Sequence, residues 1–496
     1  MTIRLLVEAR GQHRVDFTRR LVELSGGAVE LTLHMGHDDA DFHAPSLAKM
    51  DLHRGRAGHF MAGQRQTGAN FPLIASQNFG DGIEMVIDQM QRFSPDYRYR
   101  GHNLRNLQDY LDYFHILSDV MAQKMLTARI THAVFWTVPH LGYDTLLYQV
   151  AQALGIKTLI LSQTLFDKHF WSMANVMDYG LFDPARSTAP PFHFEKGSVA
   201  DLYYMQDDWQ KPGKTGTLSS RAVGQMVLHF LRHDPIKLAN PAYIAGVLKR
   251  MRHVYEGMPD WRDPFARFFH TNELAYFEHL IGFEGGQIDL DQKYIYVPLH
   301  NQPEMSTSAL GGIYRDQVLL IETLARQLPA GWRIYVKENP RQGSFARGPL
   351  FFHRLTRIPS VTLMPSNANT FALSANAQFV ATVTGTAGWE AIRQGRPALV
   401  FGAAFYQSLP GIVRYREGLD FAEVAATQID HDALEKATGA MFGQGHDGII
   451  EEVYFKKVPG FDYAANRDKV ARTTLDVLQG NAPLSFYDPD GGSETL

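Results

Sequence analysis

The stretch from Ala377 to Tyr406 constrains the fold of this 496-residue chain more than any other. It opens with the apolar run Phe379 to Val383, which has the length of a buried strand, and continues through a turn of small residues. A short helix follows and ends at Gly395, because glycine tolerates the left-handed conformation at a helix C-terminus. Pro397 prevents continuation of the helix, and a second apolar strand comes next. The stretch predicts a strand–turn–helix–strand unit.

The small-residue turn of this unit, residues 384–388, has the composition of an anion-binding site. The start of the following helix presents backbone N–H groups and the positive end of the helix dipole beyond the strand. The hydroxyls of Thr384 and Thr386 add hydrogen-bond donors. Glu390 is not placed for a capping box with Thr386, so we expect its carboxylate to accept from ligand hydroxyls. The alternative is a tight crossover turn whose acid is favoured by the helix dipole.

The composition narrows the class of protein. Hydrophobic residues make up 45% and charged residues 20%, which is typical of globular proteins, and the net charge of −4 provides no global basic field for nucleic acid. The absence of cysteine excludes disulfides, cysteine-ligated zinc and thiol catalysis. The N-terminal apolar run is too short for a signal peptide or an anchor. We therefore expect a soluble cytoplasmic protein that binds no nucleic acid.

The order of the predicted elements divides the chain into four regions. Strands and helices alternate over residues 1–215, which close with a segment rich in Pro and Gly. Residues 216–288 have a helical pattern with basic and aromatic side chains interleaved, which favours a solvated helical connection over a nucleic-acid or membrane surface. Alternation resumes over 289–455. Residues 456–496 contain a helix, Ala465 to Leu478, that we expect to return to the first domain, and then a loose tail.

Strands that alternate with helices indicate parallel sheets covered on both faces. A chain of this length exceeds one ordinary core. The sequence therefore predicts an α/β fold with two Rossmann-like domains that face each other across a cleft.

Polar residues of the second domain concentrate where predicted strands end. Residues 299–304 (LHNQPE), 337–340 (KENP) and 384–390 (TGTAGWE) each follow a strand. Because the carboxyl ends of parallel strands border the ligand crevice, such residues mark a binding site. Lys337, next to a strand that proline terminates, is suited to a phosphate. The alternative for Lys337 is a surface lysine, with Pro340 only stopping the strand.

Three motifs in this order, PLHNQPE, VKENP and TVTGTAGWEAIRQGRPALVFG, resemble the capsule and surface polysaccharide biosynthesis glycosyltransferases. The best understood members of that family are bacterial Kdo transferases with the two-domain GT-B fold. The similarity is clearest over residues 290–410 and includes the paired "QP" and "HP" motifs of the family. The first domain shares the layout of the family rather than its motifs.

The resemblance implies that the second domain binds a nucleotide-sugar donor, typically CMP-Kdo, and that a glycan or glycolipid acceptor enters from the first domain. The resemblance implies that the donor is bound by the residues at the matching positions, which are Gln302, Pro303, Asn339, Pro340, Thr384, Gly385, Thr386 and Glu390. Lys337 and Ala387 complete the predicted donor site. Asn339 replaces the histidine of the "HP" motif, and an amide can donate a hydrogen bond to phosphate but carries no charge. A sugar nucleotide is therefore expected, and its base and sugar stay open.

Glycosyl transfer passes through an oxocarbenium-like state and needs a carboxylate near the anomeric carbon or a base for the acceptor hydroxyl. Asp144, just beyond a first-domain strand, and Glu304 are the candidate carboxylates. Asp144 stands at a predicted helix start, where the alternative role is that of an N-cap. Glu304 could equally be a solvent-facing acid. His140 could orient an acceptor or be a surface histidine.

The sequence offers no metal site that matches a known spacing, although residues 37–43 are rich in His and Asp. GT-B families generally need no bound metal, so we expect no cofactor apart from the nucleotide-sugar substrate. The leading hypothesis is a cytoplasmic glycosyltransferase of surface polysaccharide synthesis, with peripheral association at the inner face of the membrane as an extension of it. A nucleotide-sugar epimerase of the same architecture and a catalytically silent assembly subunit are the alternatives.

Overall fold

The computed structural model describes two compact units of the chain. The residues described are 2–35, 77–92, 106–166, 168–198, 228, 231, 235–245, 288–302, 304–339, 349–365 and 368–496. The first unit comprises Met1–Ser198, Pro303–Leu320 and Phe379–Leu496, and the second comprises Val199–Gln302 and Ile321–Gln378.

Twelve strands and fourteen helices are assigned within the described residues. The strands are β1 (Ile3–Glu8), β2 (Val29–Met35), β3 (His132–Phe135), β4 (Lys157–Gln163), β5 (His169–Met173), β6 (Tyr294–Pro298), β7 (Arg333–Lys337), β8 (Val361–Met364), β9 (Phe379–Thr382), β10 (Ala398–Val400), β11 (Ile412–Arg414) and β12 (His446–Asp447). The helices are α1 (Gln12–Leu24), α2 (Gln77–Arg92), α3 (Leu107–Thr127), α4 (Tyr143–Ala153), α5 (Pro235–Leu238), α6 (Met305–Ser308), α7 (Gln317–Arg326), α8 (Pro349–Thr356), α9 (Thr370–Asn376), α10 (Thr386–Arg393), α11 (Phe421–Ala426), α12 (His431–Gly443), α13 (Glu452–Phe455) and α14 (Tyr463–Leu478).

The first sheet has the strand order β12-β5-β4-β3-β1-β2. β1 pairs in parallel with both β2 and β3, and β3 pairs in parallel with β4. β5 joins β4 in the antiparallel sense, as β12 joins β5. The chain first steps from β1 to β2 on one side and then returns to β3 on the other side of β1. The gap between β1 and β3 is therefore the topological switch point, where α/β sheets form their ligand crevice.

The core on one face of this sheet is built from β1, α1 and α14. Leu5 and Val7 of β1 and Phe17 of α1 are buried in one cluster with Val470 and Leu475 of α14. The predicted C-terminal helix thus lies on α1 and β1.

The segment after α14 is anchored rather than loose. Leu484, Ser485, Phe486 and Tyr487 are buried, and the backbone N–H of Phe486 donates to the carbonyl of Ser172 in β5 at 3.0 Å. The prediction of a loose tail is wrong for these residues, because three apolar side chains in a short stretch gain more from burial than their ordering costs.

The second sheet has the strand order β11-β10-β9-β6-β7-β8. Its pairings of β6 with β7, β7 with β8, β9 with β10 and β10 with β11 are parallel. The α/β prediction is confirmed by two sheets composed largely of parallel strands. The strand–turn–helix–strand unit is present, but its helix α10 begins at Thr386 rather than at Trp389.

Several other predictions stand outside the described residues. The His- and Asp-rich residues 37–43, the boundary near 215 and most of the connection 216–288 fall there, so the domain limits and the cleft stay predictions. Within the described ranges, no helix combines the length and the apolar character needed to cross a bilayer.

Candidate active site

Two fully buried carboxyl groups lie close together at the switch point of the first sheet. Glu8 ends β1, and Asp144 stands in the first turn of α4, beyond β3; both are 0% exposed. The charge of Asp144 acts on Glu8 strongly enough to raise the pKa of Glu8. Within the described part of the chain, Glu8 Oε2 and Asp144 Oδ2 have no hydrogen-bond partner. Buried acceptor atoms of this kind are costly unless a ligand or water satisfies them.

The other oxygen of each carboxyl group is held by protein donors. The Tyr143 hydroxyl donates to Glu8 Oε1 at 3.1 Å. Asp144 Oδ1 accepts from the backbone N–H groups of His140 at 3.1 Å, Leu141 at 2.7 Å and Thr145 at 2.7 Å. The N-cap alternative for Asp144 is wrong, because Gly142 is the N-cap of α4 and no side chain caps it; Asp144 Oδ1 instead holds backbone N–H groups on both sides of the helix start. Because both carboxyl groups are fixed on one side, the second oxygen of each can serve a substrate.

Burial above all, together with the neighbouring negative charge of Asp144, raises the pKa of Glu8 from its ordinary 4.5 to about 7. The positive charges of Arg14 and Arg10 and the hydrogen bond from Tyr143 oppose this shift. A carboxyl group with a pKa near neutrality can both take up and release a proton at physiological pH, which is the property of a general acid or base.

The first turn of α1 borders the same carboxyl pair. Gly11 precedes the helix with a φ of 86°, a conformation that favours glycine. Arg14 is buried and forms an ion pair with Glu451. Its charge also lowers the pKa of Glu8. Arg14, like Arg10, therefore contributes positive charge close to the two acids.

His140 lies beside the carboxyl pair, in the predicted position, with its ring oriented by the backbone. Its Nδ1 is 2.6 Å from the carbonyl oxygen of Val138. This contact and the backbone hydrogen bond to Asp144 make His140 part of the loop that holds Asp144 in place. A role in orienting the acceptor stays a prediction.

Glu304 faces solvent, which is the alternative to a catalytic role that the sequence left open. It is exposed and serves as the N-cap of α6 through its backbone carbonyl, which accepts from Ser308 N–H at 2.8 Å. Its carboxylate is 3.5 Å from the Ser306 hydroxyl, at the outer limit for a hydrogen bond. A catalytic role for Glu304 stays a prediction.

The turn before α10 is packed against α6. Thr384 donates its hydroxyl hydrogen to the carbonyl of Ser306 at 2.7 Å, so that hydroxyl is already engaged by the protein. Gly402 lies so close to this turn that a Cβ there would be 2.8 Å from Thr384 Cγ2. The prediction that Thr384 contributes a hydroxyl donor to phosphate is therefore weakened, because its hydrogen is used within the protein.

The smallness of Gly388 serves the fold. A Cβ at Gly388 would collide with the Tyr406 hydroxyl, which donates to the carbonyl of Gly385. Gly385 is the N-cap of α10, and Thr386 and Ala387 form its first residues, so the turn still directs N–H groups and the helix dipole beyond β9. The anion-binding interpretation thus rests on the backbone of this turn.

Glu390 is not the free carboxylate that the sequence suggests. It hydrogen-bonds to the Thr386 side chain one turn earlier in α10. Burial raises the pKa of Glu390 to about 7, while this hydrogen bond and the charge of Arg393 act in the opposite direction. The reason for the discrepancy is that α10 begins three residues earlier than predicted, which makes residues 386 and 390 neighbours on one helix face.

The remaining predicted donor residues belong to the second unit or lie outside the described residues. Lys337, at the end of β7, is buried, and its carbonyl accepts from Leu299 N–H at 2.8 Å. Gln302 is also buried, and Asn339 donates its backbone N–H to Glu338 Oε1 at 2.7 Å. The surface alternative for Lys337 is wrong. Pro303 and Pro340 lie outside the described residues.

Comparison with known proteins gives one family match. Residues 291–438 match the model of a family described as capsule polysaccharide biosynthesis protein. The resemblance noted in the sequence motifs is confirmed. These residues include the turn before α10 and the ends of β6 and β7, where the predicted donor residues lie. No curated protein matches the chain.

Solved structures give likenesses of low identity. The chain resembles KpsC from Thermosulfurimonas dismutans, a β-Kdo 2,7 transferase, with 11% identity over 75% of this chain and 91% of that chain and a TM-score of 0.30. It resembles Anabaena Alr3699/HepE in complex with UDP-glucose, with 10% identity over 95% and 99% and a TM-score of 0.27. It also resembles the UDP-GlcNAc 2-epimerase of Methanocaldococcus jannaschii, with 9% identity over 89% and 98% and a TM-score of 0.24.

Glu8 is the functional candidate that sequence reasoning missed. The signal was present, because Glu8 directly follows the first predicted strand, Ile3 to Val7. Recognising it requires the strand order, since only a strand next to the switch point places its last residue in the crevice.

Proposed function

We propose that this protein is a glycosyltransferase of capsule or surface polysaccharide synthesis that uses the Glu8 and Asp144 carboxyl groups for chemistry. The observation that carries the proposal is the pair itself: two fully buried acids at a switch point, each with one oxygen held by the protein and the other without a hydrogen-bond partner among the described residues. The capsule polysaccharide match over residues 291–438 supports the assignment of a sugar substrate.

The chemistry divides between the two acids. Glu8, with a pKa of about 7, takes the proton from the acceptor hydroxyl as that oxygen attacks the anomeric carbon. Asp144, oriented by three backbone N–H groups, places Oδ2 to stabilise the positive charge that develops on the sugar ring. The anomeric carbon–oxygen bond to phosphate breaks, and the nucleotide leaves with its phosphate oxygen negatively charged.

The donor in this proposal is a nucleotide sugar, with a CMP-linked sugar such as CMP-Kdo as the first to test. The backbone N–H groups at the start of α10 are the proposed contacts of its phosphate. No bound cofactor is required by this scheme. The acceptor is a glycan or its lipid-linked precursor, and a lipid-linked acceptor would bring the enzyme to the inner face of the membrane.

Release of free nucleotide with and without an acceptor tests the function. The purified chain is incubated with CMP-Kdo, UDP-glucose, UDP-GlcNAc and a GDP-sugar, each with and without a mixture of capsule oligosaccharides. A transferase releases nucleotide from one donor faster when acceptor is present, and a sugar is added to the glycan. Conversion of a UDP-sugar without acceptor would indicate the epimerase instead. Binding of a nucleotide without any turnover would favour the silent assembly subunit.

A further inference from the structure

The side chain of Gln89 joins three separate parts of the first unit. Gln89 lies on α2 and is fully buried at 0% exposure. Its Oε1 accepts from Gly142 N–H at 3.0 Å and from the Thr145 hydroxyl at 2.6 Å. Its Nε2 donates to the Ser308 carbonyl of α6 at 3.1 Å. One amide therefore contacts both α6 and residues 140–145, here called the Asp144 loop.

The Asp144 loop is shaped to receive this amide. Gly142 has a φ of 88°, and a Cβ at that position would lie 2.7 Å from Met90 Cγ. Only glycine permits both the backbone conformation and the close approach to α2. From inside the loop, Asp144 Oδ1 accepts three backbone N–H groups. Gln89 therefore holds from outside the same loop that Asp144 holds from within.

On its other side, Gln89 reaches the short helix that supports the turn before α10. The Ser308 carbonyl accepts from Gln89, and two residues earlier the Ser306 carbonyl accepts from Thr384. α6 is thus linked by hydrogen bonds to the Asp144 loop at one point and to the turn before α10 at another. The chain of contacts runs from Asp144 through Gln89 and α6 to that turn.

We propose that Gln89 is a positioning residue that holds α6 and the Asp144 loop in the relative placement needed for sugar transfer, a proposal that rests on the proposed function. It touches neither reacting group and acts through the loop and the helix that it joins. Because displacement of reacting groups by about 1 Å can reduce turnover by about 100-fold, the loss of this link should appear in kcat.

The test compares Gln89→Met with a matched control, Gln149→Met. Gln149 of α4 also contacts α2, through Gly82 O at 3.5 Å, but among the described residues its side chain makes no hydrogen bond to α6 or to the Asp144 loop. The ion pair of Arg315 with Glu84, at 2.9 Å, still links α2 to the segment after α6 in both variants. In Gln89→Met, kcat should fall about 100-fold, while KM for the nucleotide sugar stays within about twofold. Gln149→Met should keep wild-type values. Equal kcat in the two variants would overturn the proposal.

A second variant, Gln89→Glu, keeps the proposal testable if Gln89→Met does not fold. Gln89→Glu keeps the shape and the acceptor oxygens, and when ionised it loses only the donation to the Ser308 carbonyl. Its kcat relative to wild type should fall as the pH rises and the new acid loses its proton. A ratio that does not change with pH would contradict the positioning role.

Hydrogen exchange separates this proposal from the proposed function. If the wild-type chain transfers no sugar, the function fails, but the link can still be measured at the Gly142 amide. That amide should exchange faster in Gln89→Met and at the wild-type rate in Gln149→Met. Unchanged exchange at Gly142 in Gln89→Met would overturn the proposed link independently of catalysis.

Discussion

The burial of Glu8 costs free energy whenever its carboxyl group is ionised, and a role in a reaction explains why such a residue is present. Its pKa of about 7 means that folding works against the ionised form, since the carboxyl group leaves water and lies near the Asp144 charge. A neutral isostere would avoid this cost. Residues that destabilise the fold while they are poised to exchange protons are typical of active sites.

Replacement of Glu8 by Gln should therefore stabilise the protein at alkaline pH. Because the folded pKa is raised from 4.5, the group contributes most stability below the unfolded pKa and loses it as the pH rises through about 7. A rise of this size corresponds to about 3 kcal/mol. Glu8→Gln should match wild type near pH 4.5 and exceed its free energy of unfolding by up to about 3 kcal/mol at pH 8. Urea denaturation at both pH values measures this difference.

Gln keeps the oxygen that accepts from Tyr143, so the comparison isolates the charge. If the wild-type protein were the more stable of the two at pH 8, Glu8 would have to be ionised and well solvated in the fold, contrary to its burial.

Replacement of Asp144 by Asn tests the second acid. Asn keeps one oxygen for the three backbone N–H groups, so the Asp144 loop should persist and the free energy of unfolding should change by no more than about 1 kcal/mol. The charge on the second oxygen is lost, and kcat should fall by at least about 100-fold, with nucleotide affinity unchanged. Steady-state kinetics and calorimetry give the two values. Turnover near that of wild type would leave Asp144 only the structural role of holding the backbone N–H groups of the Asp144 loop.

Among the elements, the turn before α10 depends on where the helix begins and on which side chains pack against it. Tyr406 packs against the N-terminus of α10. Its hydroxyl donates to Gly385 O and occupies the space that a side chain at position 388 would need. The turn therefore depends on the absence of a Cβ at one position.

Gly388→Ala should destabilise the protein, although alanine within a helix is ordinarily favoured over glycine by about 1 kcal/mol. Displacement of the Tyr406 ring should cost about 1–3 kcal/mol, as overpacked cores do. The cost should be smaller in a Tyr406→Phe background, because the hydroxyl is the atom nearest to the added Cβ. Denaturation of the two single variants and the double variant gives the coupling. Equal costs in both backgrounds would show that another atom is the obstacle.

The elements that the sequence predicted well are those whose patterns are local. Buried parallel strands appear as short apolar runs, and β8 has the predicted limits, Val361 to Met364. β5, with the sequence HFWSM, was missed because aromatic and polar residues interrupt any such run. The start of α10 was placed late because no side chain caps it, and Gly385 carries no recognisable capping signal. The pairing of Glu8 with Asp144 cannot be predicted from sequence order, because Asp144 follows more than a hundred residues after Glu8.

At the scale of the whole molecule, the chain's last segment stabilises its first sheet. Phe486 is fully buried and contacts Trp171 of β5, with ring centroids 5.0 Å apart. Ser485 and Ser172 exchange hydrogen bonds at 3.0 Å between each backbone N–H and the other's hydroxyl. The segment after α14 thus packs on β5.

Phe486→Ala should lower the free energy of unfolding by about 3–5 kcal/mol, as the loss of a buried aromatic ring usually does. Met177→Ala is the matched control, because Met177 is half-exposed in the same unit and should change stability by less than about 0.5 kcal/mol. Thermal or urea denaturation compares the two. A Phe486 variant as stable as the Met177 variant would restore the prediction of a loose tail.

Acceptor-dependent transfer by wild type and Glu8→Gln at pH 8 tests whether the buried acid pair carries out sugar transfer. With the donor that the nucleotide-release assay identifies, the wild-type chain should glycosylate the acceptor. Glu8→Gln should bind the donor with unchanged affinity and transfer sugar at least about 100-fold more slowly, because the base for the acceptor hydroxyl is gone. Transfer by Glu8→Gln at the wild-type rate would contradict the role of Glu8 as the base for the acceptor hydroxyl.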